Sequence, residues 1–173
     1  GSALFLTGAK ADAELPPDPA PFLTLADGWT LRPLLQVLAE KSDYETFAPA
    51  APAQPTALGD WRPQLGDDFS GDALYATEFL SPTAGPAVID LGDVRYAASL
   101  RINGRKPLAK FLAPFRFAVE LRRGRNRLEV TVSNTLANCL STPAVARRFQ
   151  TIIPQCPYEE RQHRFEQNSL ASG

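Results

Sequence analysis

From Ala87 to Asn134 apolar residues recur at every second position in four separate runs, and this spacing excludes most folds open to a chain of 173 residues. Ile89 and Leu91 share one face. Ala98, Leu100 and Ile102 share the next, with Ser99, Arg101 and Asn103 pointing the other way. Phe115, Phe117 and Val119 repeat the pattern, as do Leu128, Val130 and Val132. Successive side chains of a strand point to opposite faces of a sheet, so alternation of this kind marks strands with one buried face. Turn formers separate the runs at Leu91-Gly92-Asp93, Asn103-Gly104 and Arg123 to Asn126. Asn-Gly tolerates the positive φ of a type I′ turn at both central positions and is a strong hairpin signal. The stretch predicts consecutive antiparallel strands.

The flanking sequence is less regular. Ala3 to Thr7 is a short apolar run read as a strand entering from a preceding domain. Ala11 to Pro21 carries four prolines and predicts a stiff, extended connector. After the Asp27-Gly28 turn, Trp29 to Arg32 reads as a strand with Trp29 and Leu31 inward. Leu34 to Glu40 fits either a short helix, through Leu34, Leu35 and Leu38, or a strand end. Ala48 to Ala57 reads as an exposed Pro/Ala-rich link, and Tyr75, Thr77 and Phe79 share one face of a strand over Ala73 to Leu80. Beyond Asn134 the periodicity fades into a loop with one helical turn, then a polar segment from Tyr158 to Leu170. The expected organisation is an N-terminal extension over residues 1–24 and one domain over 25–173. Gly1-Ser2 reads as a remnant of tag removal, and with no Met in the chain the expectation is a piece of a longer protein.

Order of motifs along the chain carries a resemblance. Leu58 to Pro82 holds a Trp segment, an FSG turn and an aromatic strand. IDLGDVRYAASLRINGR follows, then LAPFRFAVELRRGRNRLEVTVSN. This succession resembles the galactose-binding-like β-sandwich appended to glycoside hydrolases. It is similar to the sugar-binding domain of family 2 enzymes and to the C-terminal sandwich of α-L-rhamnosidase-like enzymes. The fold expected is all-β, a jelly-roll-like sandwich of two antiparallel sheets with about eight strands. The resemblance implies a non-catalytic accessory domain of a larger glycoside hydrolase, its partner being the catalytic domain of the parent chain. In the resembling enzymes a Ser-Leu-x-Ser-Gly piece like Ser169 to Gly173 leads into a strand that closes the sandwich. The alternative reading is a carbohydrate-binding module.

Composition and chemistry narrow the rest. Lys and Arg number 18 against 19 Asp and Glu, which argues against a nucleic-acid or membrane partner held by bulk charge. Arg122, Arg123, Arg125 and Arg127 surround a turn and read as a solvated hairpin tip. Hydrolysis of a glycosidic bond needs two carboxylates about 5 to 10 Å apart. Asp67, Asp68, Asp72, Glu78, Asp90 and Asp93 instead fall in turns or on outward positions, and no pair is marked. Asp67, Asp68 and Asp72 also have the composition of a structural calcium loop; no other cofactor is expected. His163 lacks the partners of a catalytic triad, and Cys139 and Cys156 read as two unpaired thiols. Sugar binding uses an aromatic face with a few polar groups, and the candidates are Trp61, Tyr75, Tyr96 and Arg116. Each has a plain structural role beside it: Trp61 and Tyr75 as core, Tyr96 as a half-buried strand start, Arg116 as a solvated outward side chain.

Overall fold

The computed structural model describes residues 22–40, 43–143, 145 and 147. Expectations for Ala3 to Thr7, the proline connector, Cys156, Tyr158 to Leu170 with its His163, and Ser169 to Gly173 lie outside these residues. Among the described residues nine strands and two single-turn helices follow one another: β1 (Trp29–Glu40), β2 (Asp43–Phe47), β3 (Gln54–Thr56), α1 (Arg62–Leu65), β4 (Gly71–Ser81), β5 (Gly85–Asp90), β6 (Ala97–Ile102), β7 (Leu108–Lys110), β8 (Arg116–Leu121), β9 (Gly124–Ser133) and α2 (Ala137–Leu140). Among the described residues no helix is long and apolar enough to cross a membrane.

All pairings are antiparallel. The larger sheet has seven strands in the order β2-β1-β4-β9-β6-β7, with β3 on the same edge of β1 as β2. The smaller sheet is β5 with β8. Together they form an all-β sandwich, as the alternation requires. Ala98, Leu100 and Ile102 of β6 and Leu128, Val130 and Val132 of β9 are buried facing Phe117, Val119 and Leu121 of β8, and these close into one core.

Local turn chemistry explains two corners. Asn103 and Gly104 both take positive φ (52° and 71°), and the Arg105 N–H closes the turn on the Ile102 carbonyl at 3.0 Å. The arginine-rich turn differs from the hairpin expected. It carries the chain from β8 in one sheet to β9 in the other, so its flanking strands do not pair. The fully buried Asn126 holds this corner. Its side-chain oxygen accepts from the Arg122 N–H (2.9 Å) and from Asn103 Nδ2 (2.8 Å), and its Nδ2 donates to the carbonyls of Arg122 and Gly124. Four bonds satisfy a buried amide completely.

The approach to β4 is fixed from a distant part of the sequence. Asn134 accepts from the Gly71 N–H at 2.8 Å and donates to the Phe69 carbonyl at 2.9 Å. Asn138 donates to the same carbonyl, and the Cys139 N–H donates to Ser70 Oγ. These bonds place Phe69 in the core and end the strand β9 at a defined point.

Candidate functional site

Two strands cannot cover seven. β8 packs against β6 and β5 lies beside it, and among the described residues the smaller sheet has no third strand. The result is an apolar groove of about 440 Å³ between the sheets. Trp29 of β1, Tyr75 and Phe79 of β4, and Val130 of β9 form its floor; Ala87 and Ile89 of β5 form its wall. The segment from Phe22 to Leu25 crosses its mouth and is tied there by the Trp29 indole N–H, which donates to the Leu25 carbonyl at 2.9 Å. The rim is unusually apolar for a solvent-facing surface: Phe22, Leu23, Leu58 and Val88 are all exposed.

Among the described lining residues the charged ones are Asp90 and Asp93. Asp90 Oδ1 accepts the Gly92 N–H at 2.9 Å, and Arg116 Nε donates to Oδ2 at 2.8 Å. The Gly92 N–H chiefly holds the Asp90 carboxyl below its usual range; burial opposes it, and the Arg116 guanidinium adds to the lowering. Asp93 is paired with Arg95 at 3.5 Å. At the other end of the core Asp60 is lowered in the same way by the Arg62 guanidinium. Glu78 faces Arg125, and Glu129 faces Arg127. A general acid for glycoside hydrolysis needs a carboxyl raised towards neutral pH. Asp60 and Asp90 are shifted the opposite way.

The four sugar-binding candidates fall into two places. Trp61 and Tyr75 come together in the core, their rings stacked at 6.5 Å between centroids, with Phe69 edge-on to Trp61 at 5.4 Å. Trp61 has no exposed surface, and among the described residues its buried indole N–H has no hydrogen-bond partner. Tyr75 is buried and donates a long 3.5 Å bond to the Gly59 carbonyl, with one edge of its ring in the groove floor. Tyr96 and Arg116 lie at the surface. Tyr96 is 41% exposed, its N–H bonded to the Ser133 carbonyl, and Arg116 does not line the groove but pairs with Asp90, which does. Among the described residues no three His, Cys, Asp or Glu side chains come together in a way that would hold a metal ion, Asp67, Asp68 and Asp72 included. Cys139 is buried with a free thiol, which burial pushes up from the ordinary thiol range.

Burial of Tyr75, reinforced by the nearby Asp60 charge, pushes its phenol up to about 12. A free tyrosine ionises near pH 10. The unfolded chain therefore loses this proton first, and stability that is intact below about pH 10 should fall as pH rises towards 12. The limiting slope is about 1.4 kcal/mol per pH unit. Urea denaturation across this alkaline window should show that slope in the parent chain and a flatter one in Tyr75→Phe. Equal slopes would mean that Tyr75 ionises freely in the folded protein.

Comparison with known proteins adds likenesses of shape. No family model matches the chain, and no curated protein does. Among solved structures it is similar to a rhamnosidase from Novosphingobium sp. PP1Y, at 23% identity over 69% of this chain and 11% of that one, with a TM-score of 0.49. An FMN-binding beta-glucuronidase from Facaelibacterium prausnitzii L2-6 matches at 21% identity over 65% of this chain and 18% of that one, with a TM-score of 0.44. A GH2 beta-galacturonidase from Eisenbergiella tayi, bound to galacturonate, matches at 23% identity over 63% and 18%, with a TM-score of 0.40. In each case the chain spans less than a fifth of the protein it resembles.

Proposed function

We infer that this chain is a non-catalytic accessory sandwich of a larger glycoside hydrolase, and that it packs against the rest of that enzyme. The observation that carries the reading is the groove. Among the described residues Phe22, Leu23, Leu58 and Val88 leave apolar surface in water at its mouth, which forfeits about 25 cal/mol per Å², and packing against a larger protein would recover it. The ordered motifs from Trp61 to Asn134 supply the kind of parent, through their resemblance to appended glycosidase sandwiches.

A second reading has one observation in its favour. Asp90 at the groove's edge forms an ion pair with Arg116, a polar group of the kind that can fix sugar hydroxyls in a binding module. Calorimetric titration of the 173-residue chain with rhamnose, galactose and uronic-acid oligosaccharides, calcium present, separates the two. No saturable heat is expected for an accessory domain. Saturable binding that is lost in Arg116→Ala, with the fold intact, would establish a carbohydrate-binding module instead.

A further inference from the structure

Asn103-Gly104 is the one place in the sequence where glycine follows asparagine, and asparagine in that pair reacts readily with its own backbone. The chemistry needs only water. The Gly104 backbone nitrogen attacks Asn103 Cγ, an N–Cγ bond forms, and the side-chain nitrogen leaves as ammonia with the proton of the Gly104 N–H. Water then opens the five-membered imide. Its oxygen ends in a new carboxylate, one hydrogen returns to the Gly104 nitrogen, and the other is released as a proton. Opening at Cγ leaves aspartate; opening at the backbone carbonyl leaves isoaspartate. Glycine favours the first step because it has no Cβ beside the attacking nitrogen. Asn103 is half-buried and Gly104 exposed, so water reaches the pair.

The folded chain holds the amide away from this attack. Asn103 Nδ2 donates to Asn126 Oδ1 at 2.8 Å, and Asn103 Oδ1 accepts the Arg127 N–H at 2.9 Å. The Asn103 N–H in turn donates to the Arg127 carbonyl at 2.9 Å. Both ends of the side-chain amide are therefore tied across to β9. Ammonia cannot leave while that nitrogen is held, and the amide cannot swing onto the Gly104 nitrogen without giving up both bonds.

Reaction would also remove a donor that the corner between β8 and β9 uses. Asn126 is fully buried, and its Nδ2 is committed to the carbonyls of Arg122 and Gly124. Its Oδ1 must then go on facing position 103. A carboxylate there sets oxygen against oxygen where an N–H was donated, and Asn126 cannot turn its amide over without losing its other bonds.

We propose that Asn103 is a deamidation site that folding holds shut, and that the reacted residue weakens the corner at Asn126. The reading is independent of the accessory-domain role. Each local opening of the corner is a chance to react, and the reaction runs one way, so the fraction converted records the time the chain has spent open.

The test incubates the 173-residue chain at mildly alkaline pH, folded and in concentrated urea. Peptide mass spectrometry follows the replacement of nitrogen by oxygen at position 103. The folded chain should convert at least about 10-fold more slowly than the chain in urea, as expected when reaction waits on local opening. Gly104→Ala should slow conversion in urea severalfold, a reading that does not depend on the variant folding. Asn103→Asp keeps a backbone conformation that aspartate tolerates as asparagine does and removes the donor. Its melting temperature should lie about 3 °C or more below that of the parent chain. If that variant does not fold, the deamidated fraction of aged protein, separated by its added negative charge, gives the same comparison.

Equal conversion rates in the folded chain and in urea would overturn the proposal, since the bonds to β9 would then not gate the reaction. So would a chain in urea in which Asn168 converts before Asn103. An unchanged melting temperature in Asn103→Asp and in the separated deamidated fraction would also overturn it, because the corner would hold without the donor.

Discussion

Trp61→Ala should lower the unfolding free energy by about 3–5 kcal/mol, the range for removing a large aromatic from a packed core. No part of the Trp61 ring is exposed, and Tyr75 stacks on it while Phe69 meets it edge-on, so the void has no flexible neighbour to collapse into. A domain of this size should lose about 10 °C of melting temperature or more. Trp61→Phe should cost much less. It keeps a ring in the stack and deletes a buried indole N–H that has no partner among the described residues, and an unsatisfied buried donor costs about 1–3 kcal/mol. Equilibrium denaturation of the two variants measures both. A loss below about 1 kcal/mol for Trp61→Ala would mean that the ring stands outside the core and is free to meet a ligand.

Gly71→Ala is expected to be about as damaging, on the order of 4 kcal/mol, for a reason that involves no side-chain burial. Gly71 opens β4 at a φ of +150°, opposite Gln36 of β1, at the point where the register slips between Pro33 and Leu35. A Cβ built there runs into the Leu35 carbonyl oxygen and carbon, which are backbone and cannot rotate aside. Either β1 separates from β4 or the Gly71 N–H leaves Asn134. Gly85→Ala is the natural control: its φ is also positive, at +132°, but a Cβ there meets nothing within 4 Å. Thermal unfolding should place Gly71→Ala well below Gly85→Ala. Equal melting temperatures would show that the close approach at Leu35 relaxes without cost.

The bulge at Leu34 also explains which parts of the fold could be read from sequence. Where the ladder is regular, alternation identified the inward residues: Leu100, Phe117, Leu128 and Val130 are all buried. An extra residue between Pro33 and Leu35 shifts the period, so Leu34, Leu35 and Leu38 mimic helical spacing in what is one long strand, β1. The Pro/Ala-rich link hid β3, because a three-residue edge strand tolerates Pro55 and needs no alternation of its own. The turn at Arg123 to Asn126 was legible as a turn, yet nothing local says whether flanking strands pair or part into different sheets.

The candidate site was less legible still. Ile89 and Leu91 read as one ordinary strand face, and both pack half-buried against the core. What makes a groove beside them is the count of strands in each layer, which depends on pairings between residues far apart in sequence. Asn134 was visible only as the end of a strand motif. Its bonds to Phe69 and Gly71 span more than sixty positions and leave no mark in local periodicity.

The place of β9 has a consequence for how such a chain is made. In the larger sheet it lies between β4 and β6, pairing along nearly the whole length of both, although it follows them in the sequence. As the polypeptide leaves the ribosome from its N-terminus, β4 and β6 emerge with their shared partner still unsynthesised, and neither can bury its apolar face against the other. The sheet closes only after residue 133 is clear of the exit tunnel. Until then Tyr75, Leu100 and their neighbours are exposed on a nascent chain, which makes this stretch a natural client for chaperones that bind growing polypeptides.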